Sequence, residues 1–119
     1  MTENVTVTNS DNGNTLAYAG VWAGSFFKRL RGLLGKKEMC QGEALVLYPC
    51  NAVHCIGMRF VIDVAFLDQS GRVVCIMETM KPGSVSPVIK TARYAVELPA
   101  GQIGRTQTML GHTLRINHY

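Results

Sequence analysis

Residues 61–77 read VIDVAFLDQSGRVVCIM, and this stretch decides the fold. Val61 to Leu67 is apolar at every position but Asp63, the pattern of a strand buried on both faces. Asp68-Gln69-Ser70-Gly71 then supplies hairpin chemistry. The Asp side chain bonds its own backbone, and the Gly is free to take a positive φ. Arg72 to Met77 is the antiparallel return.

Short apolar runs between turn signals continue on both sides. Leu16 to Trp22 reads as a strand, and Ala44 to Tyr48 as another that stops at Pro49. Ala52 to Met58 is a further apolar run. Lys81-Pro82-Gly83 breaks the chain, and Ser84 to Lys90 is a loop carrying Pro87. Ala92 to Leu98 is a strand with Tyr94, Val96 and Leu98 on one face. Residues 102–110 have room for one or two helical turns, and Thr113 to Asn117 alternates as a last strand.

The clearest helix is Ser25 to Leu34. Phe26, Phe27, Leu30, Leu33 and Leu34 form one stripe at a period of 3.6, Ser25 can cap the start, and Gly35 can stop the end. Residues 1–14 are polar. Val5 and Val7 alternate with Thr6 and Thr8, so this segment is a flexible terminus or an edge strand ahead of a globular domain over 15–119. Many short strands and one principal amphipathic helix define a mainly antiparallel, barrel-like α+β domain.

The chain has 119 residues, of which 47% are hydrophobic and 17% charged, with net charge +4. That apolar content excludes intrinsic disorder. No apolar run reaches the about 18 to 20 residues of a membrane-spanning helix. The positive balance permits an anionic partner but falls short of the clustered excess of a dedicated nucleic-acid binder. Four cysteines with no CxxC spacing make neither a disulfide scaffold nor a paired zinc hairpin. Met1 to Asn14 lacks the basic start and apolar core of a secretory signal, so the expectation is a cytoplasmic protein with reduced thiols.

Asp63 raises the sharpest chemical question. A carboxylate in so apolar a strand needs a partner, and Arg59 or Lys81 could supply the charge. With His54 and Met58, these residues make a candidate pocket in a barrel mouth for a small anionic or polar ligand. The plain alternative is a structural salt bridge and a hydrogen-bonded histidine. Glu97, four residues after Arg93, could form an exposed ion pair with it, or stand as a second carboxylate beside Asp63. A small hydrolase or transferase using Asp63 or Glu97 with His54 is therefore the alternative to a non-catalytic binding module.

Cys50, His54, Cys55 and Met58 include soft metal ligands, but adjacent His54 and Cys55 diverge on a strand and cannot easily converge on one ion. The same divergence disfavours a cysteine–histidine nucleophile. No metal or cofactor is implied, and no glycine spacing matches a phosphate-binding loop. Lys28, Arg29, Arg31, Lys36 and Lys37 place five of the twelve cations within ten residues. They are a candidate surface for polyanions or another protein, weighed against an ordinary solvated helix face.

Four segments in order carry a family resemblance. They are Arg29-Leu-Arg-Gly-Leu-Leu-Gly35, His54-Cys-Ile-Gly-Met-Arg-Phe60, Ile62 to Asp68 with Gly71-Arg-Val73, and Ala95-Val-Glu-Leu-Pro-Ala-Gly101. Together they resemble the family called domain of unknown function 192, over roughly residues 16 to 116. The resemblance implies a small, β-rich, barrel-like domain, and no established activity, cofactor or catalytic residue comes with it. Val61 stands where the family often has Pro, Gly83 where it often has an aromatic, and Gly111-His112 where Gly-Asp is common.

Overall fold

The computed structural model describes residues 3–24 and 37–119. Seven strands form one sheet: β1 (Glu3–Asn9), β2 (Thr15–Ala23), β3 (Glu43–Leu47), β4 (Ile62–Leu67), β5 (Val73–Met80), β6 (Tyr94–Pro99) and β7 (Leu114–His118). Their order across the sheet is β5-β4-β6-β3-β2-β1-β7. The sheet is mixed, since β2 and β3 pair in parallel, Ala19 beside Glu43 through Ala23 beside Leu47. A parallel pair needs a long connection, and nineteen residues, 24–42, separate the two strands in sequence. β1 is not an edge strand: it is hydrogen-bonded to β2 on one side and β7 on the other.

The sheet curls into a half-barrel whose two edges meet at one end. Arg72 bridges Thr113. Around it the Val73 N–H donates to the His112 carbonyl at 2.8 Å, and the Leu114 N–H to the Gly71 carbonyl at 2.9 Å. Gly71 (φ +89°) allows this approach, because a Cβ there would stand 2.7 Å from the Leu114 carbonyl oxygen. Its hairpin is built as the sequence indicates. Asp68 accepts bonds from the Ser70 N–H, the Ser70 hydroxyl and the Arg72 N–H. The Ser70 hydroxyl, followed by the Arg72 N–H, holds the Asp68 carboxyl below its usual range.

Strand alternation sorts the core into two layers. From β4, Ala65 and Leu67 point into the half-barrel with Val46, Val96, Leu98 and Ile103. Ile62, Val64 and Phe66 point the other way, against Leu45, Leu47, Cys55, Met58 and Met80. β4 is buried at all six positions, so both of its faces need cover.

The expected principal helix has no counterpart among the described residues. Among the described residues the helix is the single four-residue turn α1 (Gln102–Arg105), and the architecture is mostly sheet. The Ser25–Leu34 helix lies outside the described residues, as do Lys28, Arg29, Arg31 and Lys36; Lys37 is described and exposed.

Asp63 does not find Arg59 or Lys81. It is fully buried on the half-barrel side and accepts three backbone N–H bonds, from Thr79 at 3.0 Å, Gly101 at 3.0 Å and Ile103 at 3.1 Å. Thr79 sits in a β5 irregularity opposite Asp63, with φ +56°. Gly101 and Ile103 belong to the start of α1. A carboxylate satisfied in this way is a strut, because it fixes three chain segments at once. Asp63→Ala should lower unfolding free energy by about 3 kcal/mol or more, since it strands buried donors, and chemical denaturation checks this. Asp63→Asn, which keeps one acceptor, should lose less.

Candidate functional site

The residues proposed from sequence as one pocket divide between the two faces of the sheet. Met58 is buried in the outer layer, beneath the sheet face that carries Ile62 and Val64. Asp63 projects from the opposite face, into the half-barrel. His54, Arg59 and Lys81 are exposed, and the His54 backbone bridges Val85.

Asp63 and Glu97 are also separated by the sheet. In the β4–β6 ladder Asp63 stands opposite Leu98 and Glu97 opposite Val64, so the two carboxyl groups leave opposite faces. Glu97 is not the exposed partner of Arg93. It is only 5% exposed, while Arg93 is exposed. Burial pushes the Glu97 carboxyl up to about 8, and no cation or donor among the described residues offsets it. The Cys55 thiol lies near enough to feel it. Burial raises the Cys55 pKa, contact with the Ser84 hydroxyl lowers it, and Glu97 raises it further. A buried thiol held protonated in this way is a poor nucleophile. Among the described residues no group of three or more His, Cys, Asp and Glu converges as a metal site.

The geometry assembles a different site at the seam. Beyond the Arg72–Thr113 bridge, β7 leaves the β4–β5 hairpin and a cavity of about 340 Å³ opens between them. Its apolar wall is Trp22, Tyr94 and Ile116, all packed against the inner core. Gln69, Arg115 and His118 supply polar groups, and none of the lining residues is acidic. The rings form a continuous cluster. Trp22 lies 5.7 Å from Tyr48, 6.1 Å from Tyr94 and 4.9 Å from His118, and Tyr48 lies 4.6 Å from Tyr94. Burial, then the neighbouring Tyr48, raises the Tyr94 pKa and keeps that phenol neutral. The Tyr48 hydroxyl donates to Gln69 at 3.4 Å, and His118 Nδ1 stands 3.3 Å from Glu3.

Sequence reasoning missed this cluster because its rings come from β2, the end of β3, β6 and β7. A faint signal existed: Trp22 and Tyr48 each close an apolar run and Tyr94 opens one. Strand order then brings those ends together, since β6, β3 and β2 are neighbours.

A mostly-sheet half-barrel of seven mixed strands, with an aromatic-walled cavity at its seam, defines the class. The chain belongs to the domain of unknown function 192 family, described as "Uncharacterized ACR", which it matches over residues 6–116. No curated protein matches it in sequence. Two crystal structures share its fold. One, described as a proposed transcription regulator from Sinorhizobium meliloti, is 20% identical with a TM-score of 0.81, covering 97% of this chain and 93% of that one. The other, of unknown function from Novosphingobium aromaticivorans, is 18% identical with a TM-score of 0.80, covering 94% and 83%. Among the described residues no helix is long and apolar enough to cross a membrane.

Glu97 gives a pH test. Below its ordinary value of 4.5 the carboxyl is neutral both folded and unfolded; from there to about 8 only the folded chain keeps the proton. Stability should therefore fall as pH rises across that window, by up to about 1.4 kcal/mol per unit. Glu97→Gln should flatten that part of the slope in denaturant titrations from pH 5 to about 8. Equal slopes in both proteins would mean that Glu97 is not buried as described.

Proposed function

We propose that the chain is a non-catalytic binding module for a small, planar ligand that is polar or anionic, seated in the seam cavity. The observation that carries this reading is the composition of its wall: Trp22 and Tyr94 offer ring faces, Arg115 offers a positive charge, and no acid lines the cavity, Glu3 standing outside it against His118. Ligand cavities usually combine an apolar body with a few convergent polar groups, and about 340 Å³ falls at the small end of their range. A flat ring stacks on Trp22 while an anionic substituent reaches the Arg115 guanidinium. Asp63 plays a structural part in this reading, and Glu97 lies behind the opposite face.

Trp22 is the only tryptophan, so its emission reports directly on the cavity. Titration with small aromatic carboxylates should shift or quench that emission saturably. Arg115→Ala should weaken the binding by about tenfold or more, the scale of one charge-assisted hydrogen bond, with the folded state intact because Arg115 is exposed. An emission that no aromatic carboxylate moves, or an Arg115→Ala protein that binds equally well, would overturn the reading.

A further inference from the structure

Two segments cover the outer core as a ribbon. Residues 51–57 and 83–89 run antiparallel. The Ser86 N–H donates to the Val53 carbonyl at 2.9 Å, the Cys55 N–H to Ser84 at 2.8 Å, and the Ile89 N–H to Asn51 at 2.8 Å. The ribbon alternates as a strand does. Val53 and Cys55 are buried in the outer core, while His54 and Ile56 face out. Its end is a pair of adjacent tight turns. The Met58 N–H returns to the Cys55 carbonyl and the Ser84 N–H to the Lys81 carbonyl, each at 3.1 Å. Gly57 (φ +85°) and Gly83 (φ +84°) make these turns possible and leave Ile56 and Pro82 at the tips.

The outward face has an unusual composition. Ile56, Val85 and Val88 are 58%, 62% and 64% exposed. Arg59, Lys81, Lys90 and Arg93 are all exposed around them. Residues 49–60 and 81–93 contain none of the eight acidic residues of the chain. Among the described residues the face therefore combines aliphatic side chains with cations that form no salt bridge to an acid, which calls for an anionic partner with an apolar layer behind its charge.

We infer that this ribbon docks peripherally on an anionic lipid bilayer. Ile56, Val85 and Val88 enter below the headgroups, and Arg59, Lys81, Lys90 and Arg93 stay at the phosphates. A bilayer fits better than an acidic protein. Protein hot spots are enriched in Trp, Tyr and Arg seated in pockets, and interfaces are depleted in Lys. Here the outward apolar groups are aliphatic, two of the four cations are Lys, and the apolar groups are carried on turn tips rather than in a groove.

The test is co-sedimentation of the full chain with vesicles of phosphatidylcholine, with and without phosphatidylglycerol. Binding should require phosphatidylglycerol and weaken with salt. Ile56→Ser should lower partitioning by about tenfold, from the loss of one buried aliphatic side chain. Lys81→Gln should lower it by about fivefold, the usual worth of one cation at such a surface. Both positions are exposed, so an unchanged thermal midpoint verifies folding. Failure to bind either vesicle overturns the inference. So does binding that Ile56→Ser leaves unchanged while Lys81→Gln weakens it, since that result assigns the face to charge contact alone, as an acidic polypeptide would make.

Discussion

The carboxylate of Asp63, at the start of β4, accepts N–H bonds from Thr79, Gly101 and Ile103, and the end of the half-barrel away from the 68–71 hairpin depends on it. Thr79 holds a left-handed backbone conformation in a strand, which costs energy for a β-branched residue. Gly101 and Ile103 open a helix of only four residues, too short to be stable alone. Neither feature persists by local preference. Both are held by their bonds to a fully buried carboxyl that needs hydrogen-bond partners. The result ties together β4, the end of β5 and the chain after β6.

β4 also divides the protein into two chemical environments. On its inner side lie Asp63, the inner core and, further round, the aromatic wall of the seam cavity. On its outer side lie Val64, its ladder neighbour Glu97, Cys55 and the ribbon that covers them. The inner carboxylate is surrounded by donors and stays in place as a strut. The outer carboxyl is buried on the other face, and burial keeps its proton well above the ordinary range. Residue type alone does not distinguish these two surroundings; the face from which each side chain leaves the sheet does.

Much of the sheet was legible in the sequence. The 61–77 hairpin follows from a continuous apolar run and Asp-x-x-Gly turn chemistry, and it folds as read. The strand at Leu16–Trp22 and the stop at Pro49 are local signals too. The parallel pairing of β2 with β3 was not legible, because a period-2 apolar pattern does not report strand direction. The partner of Asp63 was hidden for a related reason. Side-chain charges are visible in a sequence, but free backbone N–H groups near a distant helix start are not. Glu97 looked like half of an exposed ion pair because spacing cannot report what covers a strand face. The seam cavity needed strand order before its rings could be placed.

The pairing of β1 with β7 sets Val5 beside His118 and Asn9 beside Leu114. During synthesis on a ribosome, β1 emerges first and its second neighbour emerges last. Until then β1 can pair with β2 alone, and its other side presents unpaired backbone groups to any strand it meets. The seam cavity is incomplete for the same interval, because Arg115, Ile116 and His118 belong to the late strand. Protection of this chain during synthesis therefore falls on the outer edge of β1, and the seam cavity takes shape only after β7 has joined the sheet.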